Sequence, residues 1–146
     1  MGEHYNNLTL KTLFTLKYFL NTSNFIATPP KYLMKVDDDT FVNVPRLWNT
    51  LEYSKEWSQI PDLVMGYLME KPQRMIVNVK DSNKKFTNKW VCPEYMYNGK
   101  YYPQILSGSG YVMTRSAAEC IYNTALMFPY FHLEDVLITG NFILFS

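Results

Sequence analysis

The residues with the most chemical reach in this chain are carboxylates. Asp37, Asp38 and Asp39 stand in a row within KYLMKVDDDTFVN, residues 31–43. Adjacent carboxylates repel, and burying them is prohibitive unless a positive charge sits among them. On an extended chain Asp37 and Asp39 point the same way and Asp38 points opposite. Two such carboxylates suit a hard divalent cation, Mg²⁺ or Mn²⁺, whose open positions phosphate oxygens can fill. A metal carrying a diphosphate is therefore one candidate for the missing positive partner. A solvated acidic turn is the plain alternative. An EF-hand loop is excluded, because Phe41 and Val42 occupy positions where that loop needs a further oxygen ligand and a glycine. The apolar flanks YLMKV and TFV place the turn at the edge of a core.

A second acidic pair, Glu134-Asp135, follows Pro129 and precedes VLITG. Acids are favoured in the first turn of a helix by the macrodipole, which accounts for the pair without any chemistry. The functional reading is a general base that activates a hydroxyl for attack, and one carboxylate of the pair is enough. Nearly a hundred residues separate this pair from the aspartates, so only folding can bring them together. Lys35 is placed to pair with an aspartate. Trp90 is either a platform for a sugar face or core. His132 is either a metal ligand or structural. Ser107-Gly108-Ser109-Gly110 reads as a turn where backbone approaches a ligand or simply reverses the chain. A Ser-His-Asp hydrolase has no support, since no G-x-S-x-G is present.

The elements that must position these groups alternate. A first helix is predicted after Asn6 or Asn7, with Leu10, Leu13, Phe14, Leu16 and Leu20 near one face. Pro29 and Pro30 end it. KYLMKV reads as a buried strand, which TFVNV extends after a turn. Pro45 opens a helix through Leu47, Trp48 and Leu51. Residues 62–69 form a second strand, and residues 70–99 read as strands or loops. Tyr111 to Met113 is a strand. Ser116 and Glu119 make a capping box for a helix with a stripe of Ala117, Cys120, Ile121, Thr124 and Ala125. Glu134-Asp135 opens a last helix. The alternation indicates an α/β class, in one domain over residues 1–146.

Composition narrows the classes. With 47% hydrophobic and 18% charged residues the chain is globular. A formal charge of +1 gives no electrostatic case for nucleic acid or an anionic membrane. Cys92 and Cys120 show no metal-ligand spacing; one disulfide or two free thiols both fit. Asn7-Leu8-Thr9 and Asn21-Thr22-Ser23 are glycosylation sequons. No stretch has the form of a signal peptide or a membrane span. The end GNFILFS stops in apolar sequence, the mark of a piece of a larger protein.

Taken together, YNNLTLKTL, KYLMKVDDDTFVNVPRL, LSGSGYVMTRSAA and LEDVLITG make the chain resemble the β-1,3-galactosyltransferase family over nearly its whole length. That inverting family also includes β-1,3-N-acetylglucosaminyltransferases. The resemblance implies a Rossmann-like GT-A domain, here incomplete at both ends. It also implies a Golgi membrane protein with a lumenal catalytic domain, whose anchor is absent from this chain. The implied cofactors are Mn²⁺ and a UDP-sugar donor, UDP-galactose favoured over UDP-N-acetylglucosamine. Asp39, with Asp37, would meet the metal, and Asp37 and Asp38 would lie by the nucleotide. Trp90, Gly108 and Gly110 would line the donor cleft. Asp135 would be the catalytic base, with Glu134 beside it. The partner is an acceptor glycan on a glycoprotein or glycolipid, attacked at its 3-hydroxyl. Leu106 stands where the family often has Cys, and LITGNFI also lacks a usual Cys, two departures from the family's disulfide pattern.

Two readings from other classes compete. One is a truncated, non-catalytic sugar-nucleotide-binding protein, since the isolated chain is expected to turn over little or nothing. The other is a metal-dependent phosphohydrolase built on the aspartates. Phe41 meets its D-x-D-x-T/V pattern poorly.

Overall fold

The computed structural model describes residues 7–76 and 89–140. The expectations for Asn6 and for residues 141–146 fall outside them, as do those for residues 77–88. Among the described residues the elements run α1 (Leu8–Asn21), β1 (Tyr32–Val36), α2 (Val44–Tyr53), β2 (Val64–Met69), β3 (Ile105–Thr114) and α3 (Arg115–Ala125). A single 3₁₀ turn, Thr22–Asn24, follows α1, and a π-helical turn, Val136–Gly140, closes the series. No described helix is long and apolar enough to cross a membrane.

The three strands form one sheet in the order β1-β3-β2. Both pairings are antiparallel: Leu33 faces Met113 across one seam, and Val64 faces the same Met113 across the other. Helices and sheet together satisfy the α/β expectation in its coarse form. The long central strand β3 dictates the layers. Side chains alternate along it, so Tyr111 and Met113 look one way and Val112 the other. On the first side Tyr111 and Met113 join Leu16 and Phe19 of α1, Ala117, Ala118, Ile121 and Ala125 of α3, and Leu137 and Ile138 of the π turn. On the second side Val112 packs with Leu51 of α2 and with Leu63. Three alanines in α3 let α1 and the strand approach closely. Truncating a fully buried member such as Ile121 would cost about 2–5 kcal/mol.

Local chemistry sets the ends of the elements. Asn43 caps α2 by accepting a bond from the Arg46 backbone N–H at 3.1 Å, with Pro45 in the first turn. Arg115 closes the other end of α1: its guanidinium donates to the Leu20 carbonyl at 3.0 Å and to the Thr22 hydroxyl at 2.7 Å. It also lies over the Phe19 ring at 4.5 Å. Cations suit helix C-termini because the last carbonyls lack partners.

Four expectations need correction. The buried face of α1 is Thr9, Thr12, Leu16 and Phe19, and Phe14 faces outward. Thr9 earns its burial by donating to the Phe131 carbonyl at 2.9 Å. Residues 40–44 are not strand: Val44 already belongs to α2, and the Thr40 N–H bonds back to Asp37 O at 3.2 Å and closes a tight turn. Phe41 is therefore 91% exposed and is no core flank. The Ser107–Gly110 segment is no turn either but part of β3. No described glycine has a positive φ, so Gly108 and Gly110 are not there for a chain reversal. Finally, α3 is capped by Thr114, which accepts from the Ala117 N–H, rather than by Ser116, and Cys120 lies outside its buried stripe. Cys92 and Cys120 are both free thiols, Cys92 buried.

Candidate active site

Strand pairing brings the two acidic clusters together. Asp37 leaves the end of β1, and its N–H bonds to Ser109 O of β3 at 3.0 Å. The turn that follows is thereby pinned beside Ser107–Gly110. The π turn, led into by Glu134 and Asp135, comes to the same stretch from the other side. Thr139 anchors it, accepting from the Leu106 N–H at 2.9 Å and donating to Asp135 O at 2.7 Å. The result is a cleft of about 420 Å³. Asp37, Asp38, Asp39, Lys35, Trp90, Ser107, Gly108, Glu134 and Asp135 are all on its walls.

The positive partner that the three aspartates require is, for Asp37, Lys35. Its ammonium donates to Asp37 Oδ1 at 2.5 Å and to the Gly108 carbonyl, and it stands 4.0 Å from Glu134 Oε2. The tight turn cancels the extended-chain expectation that Asp37 and Asp39 are parallel and Asp38 opposed. All three reach the cleft. Among the described residues no three His, Cys, Asp or Glu side chains converge into a metal cage. The donor set is nonetheless hard oxygen. It suits an ion held by one or two carboxylates that completes its shell with phosphate and water, as Mg²⁺-like ions do.

Glu134 and Asp135 are adjacent but differ. Glu134 is 3% exposed. Its carboxylate accepts a short bond from the Tyr111 hydroxyl. Burial pushes its pKa up, while Tyr111, Lys35 and the Thr12 hydroxyl oppose that rise. Burial likewise pushes the Tyr111 hydroxyl well up, with Glu134 adding to the effect. Asp135 is only partly buried. Its Oδ1 accepts from the Val136 N–H at 2.9 Å. Desolvation raises its pKa, and the backbone bonds and Lys35 pull the other way. Both acids lie beside Gly108 of β3, where an added Cβ would meet Glu134 Oε2 at 3.6 Å and Asp135 Oδ2 at 3.7 Å, ordinary contact distances. Gly110 plays no part beside the acids; its nearest neighbours are Lys35 O and Val36.

Trp90 is 47% exposed on the cleft wall, which disfavours the core reading. A neighbouring bridge places it. The Cys92 N–H bonds to Met75 O at 3.0 Å, and buried Arg74 donates to Tyr97 O at 2.7 Å. Sequence reading passed over Arg74; a lone arginine in a polar stretch carries no signal of burial. His132 holds a structural contact, its Nε2 3.1 Å from Val91 O.

Comparison with known proteins adds the following. The family model described as galactosyltransferase matches residues 1–144. The chain is 32% identical over 141 residues to beta-1,3-galactosyltransferase 1 of Mus musculus, covering 93% of this chain and 37% of that protein. It is 35% identical over 138 residues to beta-1,3-galactosyltransferase 2 of Homo sapiens, covering 93% of this chain and 29% of that protein. The chain thus spans about a third of the length of these curated relatives.

Proposed function

Because this chain belongs to the galactosyltransferase family, we propose that it acts as part of an inverting β-1,3-galactosyltransferase. The enzyme uses a UDP-sugar donor and works on glycans in the Golgi lumen, within a Rossmann-like GT-A catalytic domain. The observation that carries this reading is the single cleft in which the Asp37–Asp39 turn and Asp135 face each other across Gly108.

Each residue then has a role. Asp135 is the base: it is the more open of the two acids, and its raised pKa makes it a stronger proton acceptor than an ordinary aspartate. It takes the proton of the acceptor's 3-hydroxyl as that oxygen bonds to the donor's anomeric carbon and the bond to UDP breaks. Attack opposite the leaving group turns an α-linked donor into a β-linked product. Asp39 leads the set that would hold Mn²⁺. Asp37 stands second, because Lys35 engages one of its oxygens. When bound, the ion supplies neutralising charge for the departing diphosphate. Trp90 offers a ring face to the donor sugar or base.

The test is titration calorimetry of UDP with the full-length protein that carries this chain, in Mn²⁺ and in EDTA. Binding should require Mn²⁺ and weaken at least tenfold in Asp39→Ala. Equal binding in EDTA, or an unaffected Asp39→Ala, would remove the aspartates from the donor site.

A further inference from the structure

One acid of the pair, Glu134, is 3% exposed at the cleft wall, and its partners belong to three different elements. The Tyr111 hydroxyl donates to Glu134 Oε1 from the middle of β3. Lys35, from β1, stands 4.0 Å from Oε2. Thr12 of α1 also acts on it, and Asp135 is its neighbour on the same turn. Lys35 is itself a junction. Its side chain is 15% exposed, and an ammonium has three donors and no acceptor. Those donors meet Asp37 at the acidic turn, the Gly108 carbonyl on β3 and, more loosely, Glu134.

Resting on the galactosyltransferase reading, we propose that Glu134 is a positioning residue rather than a second base. Through Lys35 and Tyr111 it forms a buried bridge that fixes the turn carrying Asp135 relative to the acidic turn Asp37–Asp39.

The bridge has electrical consequences. Lys35 is the cation that lowers the proton affinity of both Glu134 and Asp135 against their burial. Lysine also suits the place in shape. A compact ammonium can serve three partners at once, whereas the planar fork of arginine keeps the charge but not that geometry.

The experiment is a carboxyl ¹³C NMR titration of the full-length protein that carries this chain, with Lys35→Met, Lys35→Arg and Tyr111→Phe. Lys35→Met should raise the Glu134 and Asp135 midpoints by about one pH unit, a tenfold change in proton affinity. Lys35→Arg should restore most of that shift. Should Lys35→Met fail to fold, Tyr111→Phe must still raise the Glu134 midpoint. Unmoved midpoints in folded variants overturn the bridge. In galactose transfer, Glu134→Gln should lower kcat roughly 10- to 100-fold and leave KM for UDP-galactose nearly unchanged. Glu134→Gln as inactive as Asp135→Asn, with the Asp135 midpoint unmoved, would make Glu134 a base and refute the proposal. A wild type that transfers no sugar defeats the galactosyltransferase reading, while the titration still decides the bridge.

Discussion

Two clefts share the short stretch from Glu134 to Leu137, and they are built oppositely. Asp135 faces the acidic cleft of about 420 Å³, whereas Val136 and Leu137 turn to a larger groove of about 800 Å³. The groove is lined by rings, among them Tyr97, Tyr102, Tyr130 and Phe131, and none of the described residues lining it is charged. The smaller cleft is crowded with charge. Size reports where packing is incomplete; chemistry needs titratable groups converging with altered proton affinities. The same segment thus presents apolar side chains to one cleft and carboxylates to the other.

The comparison breaks most directly at Asp135. Asp135→Asn should lower transfer about 10³-fold or more, within the range for loss of a positioned base, while UDP affinity stays within twofold. The sign of its stability effect is the sharper point. Burial raises this carboxyl's pKa above its unfolded value. Its favourable linkage is therefore present at low pH and fades as pH rises through the folded-state pKa. At pH 8 the folded state bears the cost of an ionised, partly buried carboxylate. The asparagine variant should melt no lower there than wild type, and its advantage should vanish toward pH 4. A large fall in Tm at pH 8 would place Asp135 among the structural residues.

The groove should answer in the other way. Phe131 contacts Tyr97, Tyr102 and His132. Phe131→Ala should cost about 2 kcal/mol of stability, less than the 3–5 kcal/mol of a fully buried ring. Where the variant is folded, Mn²⁺-dependent UDP binding should be unchanged. A tenfold loss of affinity would show that the two sides of the turn are not independent.

The smallest expected effect is at Gly108. A methyl there meets both carboxylates at ordinary contact distance and needs no unusual φ. Gly108→Ala should therefore change stability by less than about 1 kcal/mol. It would further dry Asp135, so the acid limb of the pH–rate profile should move upward, because the base must be ionised to act. A limb that moves down or stays put would separate Gly108 from the acids.

Local pattern was enough for most elements. The apolar run before the aspartates, Pro45 and the residues before Thr114 each carry their own signal, and β1, α2 and the end of β3 lie close to where those signals put them. Patterning failed where tertiary partners override it. Thr9 and Thr12 are buried because a distant carbonyl and a distant carboxylate accept them. Ser107–Gly110 runs on as part of β3 between pairings to its neighbours, Gly110 facing Val36 of β1 and Leu106 facing Leu68 of β2, with a register shift to β2 between them.

For the site, the residue types were legible from sequence alone: consecutive acids after a strand, a second acid pair, an exposed-capable tryptophan and glycines. Hydrogen bonds and charges act over a few ångströms, so sequence distance says little about them. Only the antiparallel pairing of β1 with β3 put Lys35 between Asp37 and Glu134. Only the depth of the π turn distinguished Glu134, sealed against Tyr111, from Asp135, open to the cleft. The sequence determined which groups are available for chemistry; the tertiary structure decided which of them water and substrate can reach, because burial, not identity, separates two neighbouring carboxylates.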